Sequence, residues 1–329
     1  MSRAPKPPGR ALLVIGDVVT DVVARHGAPL APATDTAAEI RTLPGGAGAN
    51  AACWAARSGC DEVRLLGRVG TDAVDWHERS LRRAGVRPLL VPDAEAATAT
   101  VIALVDASAE RTFLTDSGAA LRLSPTDWST ELLGGVARLH LSGYLFFAAQ
   151  SREAANCALR DARNAGVPVS VDPASAGFLA GLGADRFLAA TEGAETLLPN
   201  ADEAKALTGC GEPESAARAL SRLFPLVVVT LGAAGALVAE GGAITARVTA
   251  PPAMPVDSTG AGDAFTGAFL AARLAGADPV RSAEAGCRAG AKAVTRMGGR
   301  PPVPSDRARE GRARGRGSRR GEPVEERET

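Results

Sequence analysis

Toward the carboxyl end of the chain, the stretch DSTGAGDAF (Asp257 to Phe265) sets two carboxylates around small residues where an apolar run, AFTGAFLAARLAG, begins. Gly260, Ala261 and Gly262 free the backbone to present consecutive amides at a helix start, where the helix dipole adds partial positive charge. That arrangement binds an anion. Asp263, in the same turn, works against anion binding unless it has a second task. Taking a proton from a hydroxyl, while the three amides hold the charge on a transferred phosphoryl group, is such a task. The plainer alternative is a glycine-rich turn with Asp263 near a helix N-cap, where aspartate is common.

Three further stretches carry polar groups in usable patterns. GDVVTD (Gly16 to Asp21) closes a β-branched run with acidic residues, PGGAGANAA (Pro44 to Ala52) is a small-residue turn ending near Asn50, and LLPNADEAKAL spaces Asn200 and Glu203 three apart. GGAGAN is compatible with a tight turn that places Asn50 near a helix start. Asn200 and Glu203, following Pro199, match a capping box that satisfies backbone donors only, a reading that does not exclude a role at a site.

In order and spacing over residues 11–303, DSTGAGDAF, PGGAGANAA and GDVVTD resemble the DTTGAGD, GGxGxN and first-strand signatures of the ribokinase-like (phosphofructokinase B) sugar kinase family. The resemblance implies an α/β fold, a ribokinase-like three-layer sandwich with a mostly parallel central sheet and a small β lid. It implies an ATP-dependent kinase that transfers the γ-phosphoryl group to a primary hydroxyl of a sugar or of a nucleoside's ribose. Asp263 would be the base, with Gly260, Ala261 and Gly262 as anion hole, and Asp21, Gly45, Gly46 and Asn50 would hold sugar hydroxyls. Asn200 and Glu203 would orient Mg2+ and its waters beside the phosphates, and Thr230, Gly232 and Gly235 in VVVTLGAAGALV would lie near ATP. Asp257, with the carbonyls of Thr259, Ala293, Arg296 and Gly298, would form a K+ site, although Pro302 stands where some members offer a hydroxyl. Hard oxygen ligands suit such a cation. Arg111 would reach over the site from the lid, where a lone arginine is otherwise simply solvated. The family also implies a homodimer formed through the lid.

Ribokinases proper usually carry asparagine where this chain has Val19 and lysine where it has Ala47. Those departures point away from ribose and leave a nucleoside such as pseudouridine, or a sugar such as fructose or 2-keto-3-deoxygluconate. A non-catalytic sugar- or nucleotide-binding regulator on the same fold is the alternative. A nicotinamide-dependent oxidoreductase would need GxGxxG directly after the first strand, where GDVVTD stands.

The elements that must position these residues alternate. ALLVIGDVV reads as a buried strand entering a loop; helices are expected near 49–58, 72–85, 152–165, 201–208, 263–275 and 279–296. Strands fall between them at RLLGRVG, RLHLSGYLF, VPVSVDP and LVVVTLGAAG. Such alternation predicts a parallel sheet covered on both faces, with ligands beyond the strands' carboxyl ends. TATVIALVDASAERTFL (Thr98 to Leu114) breaks the pattern and reads as a hairpin, so the lid is expected from about 18–43 and 97–116. A flexible start (1–10), one kinase domain (11–303) and a disordered Arg/Gly/Glu tail (304–329) complete the expected organisation.

Composition narrows the partners. With 329 residues, 46% hydrophobic content and a formal net charge of zero, the chain has material for a large core and no global footprint for nucleic acid or an anionic membrane. The expected partner is a small molecule. Five cysteines with no CxxC pair fit neither a disulfide framework nor a zinc site, and a cytoplasmic location is expected. MSRAPKPPGR lacks the apolar region of a signal peptide, and no run approaches the ~20 apolar residues of a membrane span. Without a GxxxxGK[ST] loop, phosphates would not be cradled in the Walker manner; three scattered histidines and no GxSxG leave metalloenzyme and serine hydrolase readings weak.

Overall fold

The computed structural model describes residues 10–107 and 111–302. The segment 1–9, residues 108–110 in the expected DASAER turn, the side chain of Arg111 and the charged tail lie outside the described residues.

A large sheet of nine strands runs in the spatial order β13 (Ala243–Val248), β12 (Ala236–Glu240), β11 (Leu226–Thr230), β10 (Thr196–Leu197), β9 (Val169–Asp172), β8 (Val136–Ser142), β1 (Ala11–Ile15), β4 (Glu62–Gly70) and β5 (Val86–Asp93). From β11 to β5 all neighbours are parallel; β12 and β13 close the other edge as an antiparallel pair. β1 shows why the sheet needs helices on both sides. Its residues are all buried, with Leu12 and Val14 in one core and Leu13 and Ile15 in the other, as period-2 alternation requires of a central strand.

The first core is covered by α1 (Ala47–Arg57), α2 (Val74–Arg83), α8 (Ala261–Leu274) and α9 (Pro279–Ala293). The second is covered by α3 (Ala149–Asn164), α4 (Ala176–Leu182), α5 (Ala184–Ala190), α6 (Ala201–Thr208) and α7 (Pro213–Leu220). A second, small sheet stands apart from this sandwich in the order β3 (Ala38–Gly45), β2 (Val19–His26), β6 (Ala99–Val105) and β7 (Arg111–Asp116). The expected hairpin is its antiparallel β6–β7 pair, and β2 joins it in parallel.

α1 and α8, which carry Asn50 and Asp263, cross closely enough that only glycine fits at position 267. A Cβ there would collide with the Ala51 carbonyl and come within 2.7 Å of the Ala55 amide nitrogen. Gly267→Val is therefore expected to cost about 3 kcal/mol. Thermal denaturation should show it as a melting temperature lowered by roughly 5–10 °C.

Candidate active site

The strands' carboxyl ends deliver one residue after another to a common rim: Asp17 after β1, Ser142 on β8, Asp172 on β9, Asn200 after β10 and Thr230 on β11. This is where open parallel sheets bind ligands. Asp17 organises the rim. Its carboxylate accepts the amides of Ala47 (2.7 Å) and Gly48 (3.1 Å) at the start of α1, together with the Ser142 hydroxyl (2.8 Å). Gly46 makes the approach possible: its φ is +94°, and a Cβ would stand 2.5 Å from the Asp17 carbonyl oxygen. A Cβ on Gly45 would collide with the Asp21 carboxylate, so the Gly-Gly pair seats the backbone against both aspartates.

Asn50 and Asp263, 213 residues apart, meet in a hydrogen bond from Asn50 Nδ2 to Asp263 Oδ2 at 2.8 Å. Asn50 is buried and its Oδ1 has no protein partner, an acceptor that a ligand hydroxyl would satisfy. Burial raises the Asp263 pKa well above the usual carboxylate range; the Asn50 bond opposes this, while Asp172, Asp17 and Asp21 add to it. Asp21 is pushed up to about 7, first by burial and then by Asp17 and Asp257, against the pull of Arg300. Burial likewise lifts Asp172 to about 6, and lifts Glu203 to about 8 with help from Asp172. Carboxylates gathered this way at one rim are a costly arrangement and mark a functional site.

Three cavities meet there. One of about 420 Å³ is lined by Asp17, Asp21, Asn50, Asp263 and parts of the small sheet. A second of about 420 Å³ is lined by Thr230, Gly232, Gly235, Pro251 and the α8 and α9 residues Phe265 and Gly290. Between them a cavity of about 210 Å³ touches Asp172, Asn200, Glu203, Gly260, Ala261 and Gly262, and shares Asp263 with the first and Thr230 with the second. Gly260 caps α8 with φ +73°, so the helix opens directly onto this middle cavity. The Ala261 amide is drawn into the turn by the Ser258 carbonyl at a long 3.3 Å. The other first-turn amides of a helix have no intrahelical acceptor.

Asn200 and Glu203 form the capping box. Glu203 N–H donates to Asn200 Oδ1 (2.9 Å), and the Asn200 backbone and side-chain N–H groups donate to the Glu203 carboxylate (both 2.8 Å). Glu203, 4% exposed, still lines the middle cavity, so the two readings of this pair coexist. Asp257 is tied to two segments, accepting the amides of Thr259 (2.7 Å) and Gly298 (2.9 Å), while its own amide donates to the Val294 carbonyl. Thr259 and the 293–298 turn are thereby brought together. Arg111 opens β7, in the strand whose Thr115 lines the first cavity.

Several residues of the site escaped the sequence reading: Asp17, Asp172, Tyr144, Phe113, Phe178 and Arg300. Two had a local signal, since Asp17 and Asp172 each follow a β-branched run and so stand at a strand's carboxyl end.

An opening for one ligand, an opening for another and a helix-capped, carboxylate-flanked passage between them define a two-substrate group-transfer site. The sequence matches the profile of the pfkB family carbohydrate kinases over residues 10–306, and the chain belongs to that family. Fructokinase from Klebsiella pneumoniae is 32% identical over 271 residues, covering 78% of this chain and 82% of that protein. Ribokinase from Thermotoga maritima superposes with a TM-score of 0.76 at 26% identity, covering 92% of this chain and 99% of that one. A ribokinase II from Escherichia coli, solved in complex with ATP and magnesium, shares the fold with a TM-score of 0.78 at 24% identity, covering 89% and 95% of the respective chains.

Proposed function

We propose that the protein transfers the γ-phosphoryl group of ATP to a primary hydroxyl of a sugar or ribosyl acceptor, with Asp263 as general base. The observation that carries this reading is the position of Asp263, shared by the acceptor-sized cavity and the helix-capped middle cavity. The acceptor binds against Asp21, Asn50 and the Gly45–Gly46 turn. ATP lies along Thr230, Gly232 and Gly235 with its phosphates in the middle cavity. The acceptor's hydroxyl proton passes to the Asp263 carboxylate as its oxygen bonds to the γ-phosphorus. The bond from phosphorus to the β,γ-bridging oxygen breaks, and ADP leaves. Amides of the Gly260–Gly262 turn stabilise the charge on the moving group. Arg111 serves as a lid residue over the acceptor. A non-catalytic regulator has no use for a raised carboxylate between two binding cavities.

Asp172 and Glu203 suit a divalent cation. Both face the middle cavity with pKa values raised first by burial, then by the charge of Asp17 on Asp172 and of Asp172 on Glu203, a penalty a cation would relieve. Among the described residues no cluster of three or more His, Cys, Asp or Glu could hold a metal alone. Magnesium keeps several waters and is held by one or two carboxylates together with substrate phosphates. When bound, it supplies positive charge to the phosphates. The Asp257 turn is offered as a potassium site, because the carbonyls of Thr259, Ala293, Arg296 and Gly298 lie on the two segments its carboxylate joins. Pairing of two copies through the small sheet would cover Ile40 and Leu114, exposed at 63% and 54%. No helix among the described residues is long and apolar enough to cross a membrane. A cytoplasmic location remains part of this proposal.

The test is ADP release from ATP and magnesium across acceptors and pH. Because Asp21 titrates at about 7 and Asp263 above the usual range, kcat/KM is expected to fall as pH drops through 7. Stability runs the other way. Both groups hold protons more tightly folded than unfolded, so stability decreases as pH rises from about 4 toward 7. ADP release that is absent for every acceptor despite ATP binding, or that is flat across this pH window, would overturn the reading.

A further inference from the structure

The acceptor cavity has two kinds of wall. One is polar, built from Asp17, Asp21, Asn50 and Asp263. The other is aromatic and aliphatic, with Phe113, Phe178 and Tyr144 joined by Val101 and Leu121. Phe113 and Phe178 are 52% and 37% exposed, among the few large apolar side chains open to solvent in the described residues, and both open onto this cavity.

The Phe178 ring is held by neighbouring rings. Phe178, on α4, stacks on Phe147 with centroids 5.1 Å apart and meets Tyr144 edge-on at 5.6 Å. The β6–β7 register sets the backbone of Phe113 opposite Ala103, on the strand that borders the cavity. The loop before α4 is held in an unusual conformation: Ala174, which lines both the acceptor and middle cavities, has φ +72°. A non-glycine residue in that region is strained and persists only where surrounding structure enforces it.

A free pentose or hexose carries hydroxyls around its whole ring. It would satisfy the polar wall and leave these phenyl rings wet. A flat ring with two weakly polar faces suits them, since offset and edge-on packing against phenylalanine rewards that shape. Thr115, Asp116 and Ser117 border the same cavity and offer hydrogen-bonding groups to the edge of such a ring. One Asp116 oxygen accepts the Gly118 amide at 3.0 Å.

We propose that the acceptor is a nucleoside, its ribose on Asp21 and Asn50 with the 5′-hydroxyl toward Asp263, and its base against Phe113 and Phe178. This deepens the kinase reading above and rests on it. The transfer is the one already written, with the 5′-oxygen as the nucleophile.

Initial rates of ADP release with uridine, adenosine, inosine, ribose and fructose test the proposal, alongside calorimetric binding of the same five compounds. At least one nucleoside is expected to exceed both free sugars in kcat/KM by tenfold or more. Phe113→Ala and Phe178→Ala, at solvent-open positions and so expected to fold, should each cut that nucleoside-to-ribose ratio about tenfold. A free sugar preferred over every nucleoside, with the ratio unmoved in both variants, would overturn the nucleoside and leave the kinase standing. If no compound releases ADP while ATP binds, the kinase reading fails. Nucleoside binding that weakens in the two variants would then still support the aromatic wall as a base site, and its absence would reject it.

Discussion

Asp263→Asn is expected to lower kcat by about 10³-fold, within the range that removal of a general base produces, while acceptor and ATP still bind. The asparagine is nearly isosteric, and its carbonyl oxygen can accept the bond that Asn50 Nδ2 now gives to Asp263 Oδ2. The α1–α8 join and the acceptor cavity should therefore survive. What is lost is the proton acceptor. The variant should be no less stable than the parent, because it removes a carboxylate that burial and three neighbouring aspartates disfavour. A site residue whose loss harms turnover and spares or raises stability is the signature of function held at a cost. Single-turnover rates, calorimetric titration of ATP and acceptor, and thermal denaturation separate these effects. Undiminished turnover would remove Asp263 from the role of base, and lost binding would make it a positioning residue.

How far the sequence revealed this site depended on whether a residue's task was local. The α6 span, Ala201–Thr208, is the one expected, because Asn200 and Glu203 cap its start and Gly209 ends it with φ +73°. DSTGAGDAF and GGAGAN were legible because Gly260 in the first, and Gly45, Gly46 and Gly48 in the second, stand where an added side chain would collide with its surroundings. The β6–β7 hairpin showed itself by breaking the strand–helix alternation. The antiparallel β12–β13 edge did not, since VVVTLGAAGALV reads as well for a strand entering a nucleotide turn as for a strand that doubles back. The short α4, α5 and α7 lack a long apolar period and passed unassigned. The aromatic wall depends on chain segments far apart in sequence meeting at one rim. Nothing in a local pattern announces that meeting.

Arg300 is the clearest case of such a residue, and Arg300→Met is expected to lower kcat/KM at neutral pH by about 10²-fold. Its guanidinium donates to the Ser80 hydroxyl on α2 (2.8 Å) and to the Gly45 carbonyl (3.2 Å), directly behind the turn that seats Asp21. The neighbouring Gly299 carbonyl accepts the Trp54 indole N–H at 2.8 Å, and Gly298 donates to Asp257, so one short segment links the substrate turn to the turn before α8. Arg300 is also the positive charge that restrains the Asp21 pKa, already pushed up to about 7 by burial. Removing it should raise that pKa further, leaving Asp21 protonated and unable to accept two hydroxyls at neutral pH. Each unit of upward shift costs about tenfold in the ionised fraction, and losing the charged hydrogen bond to Gly45 adds about 1.5–3 kcal/mol. The defect should therefore appear mainly in acceptor KM, shrink as pH is raised toward 9, and be partly rescued in Arg300→Lys, which keeps the charge without the planar fork. A packing role alone predicts a loss that is the same at every pH and no better with lysine. Acceptor KM measured from pH 6.5 to 9 in the two variants decides whether Arg300 sets the ionisation of Asp21 or only fills space behind it.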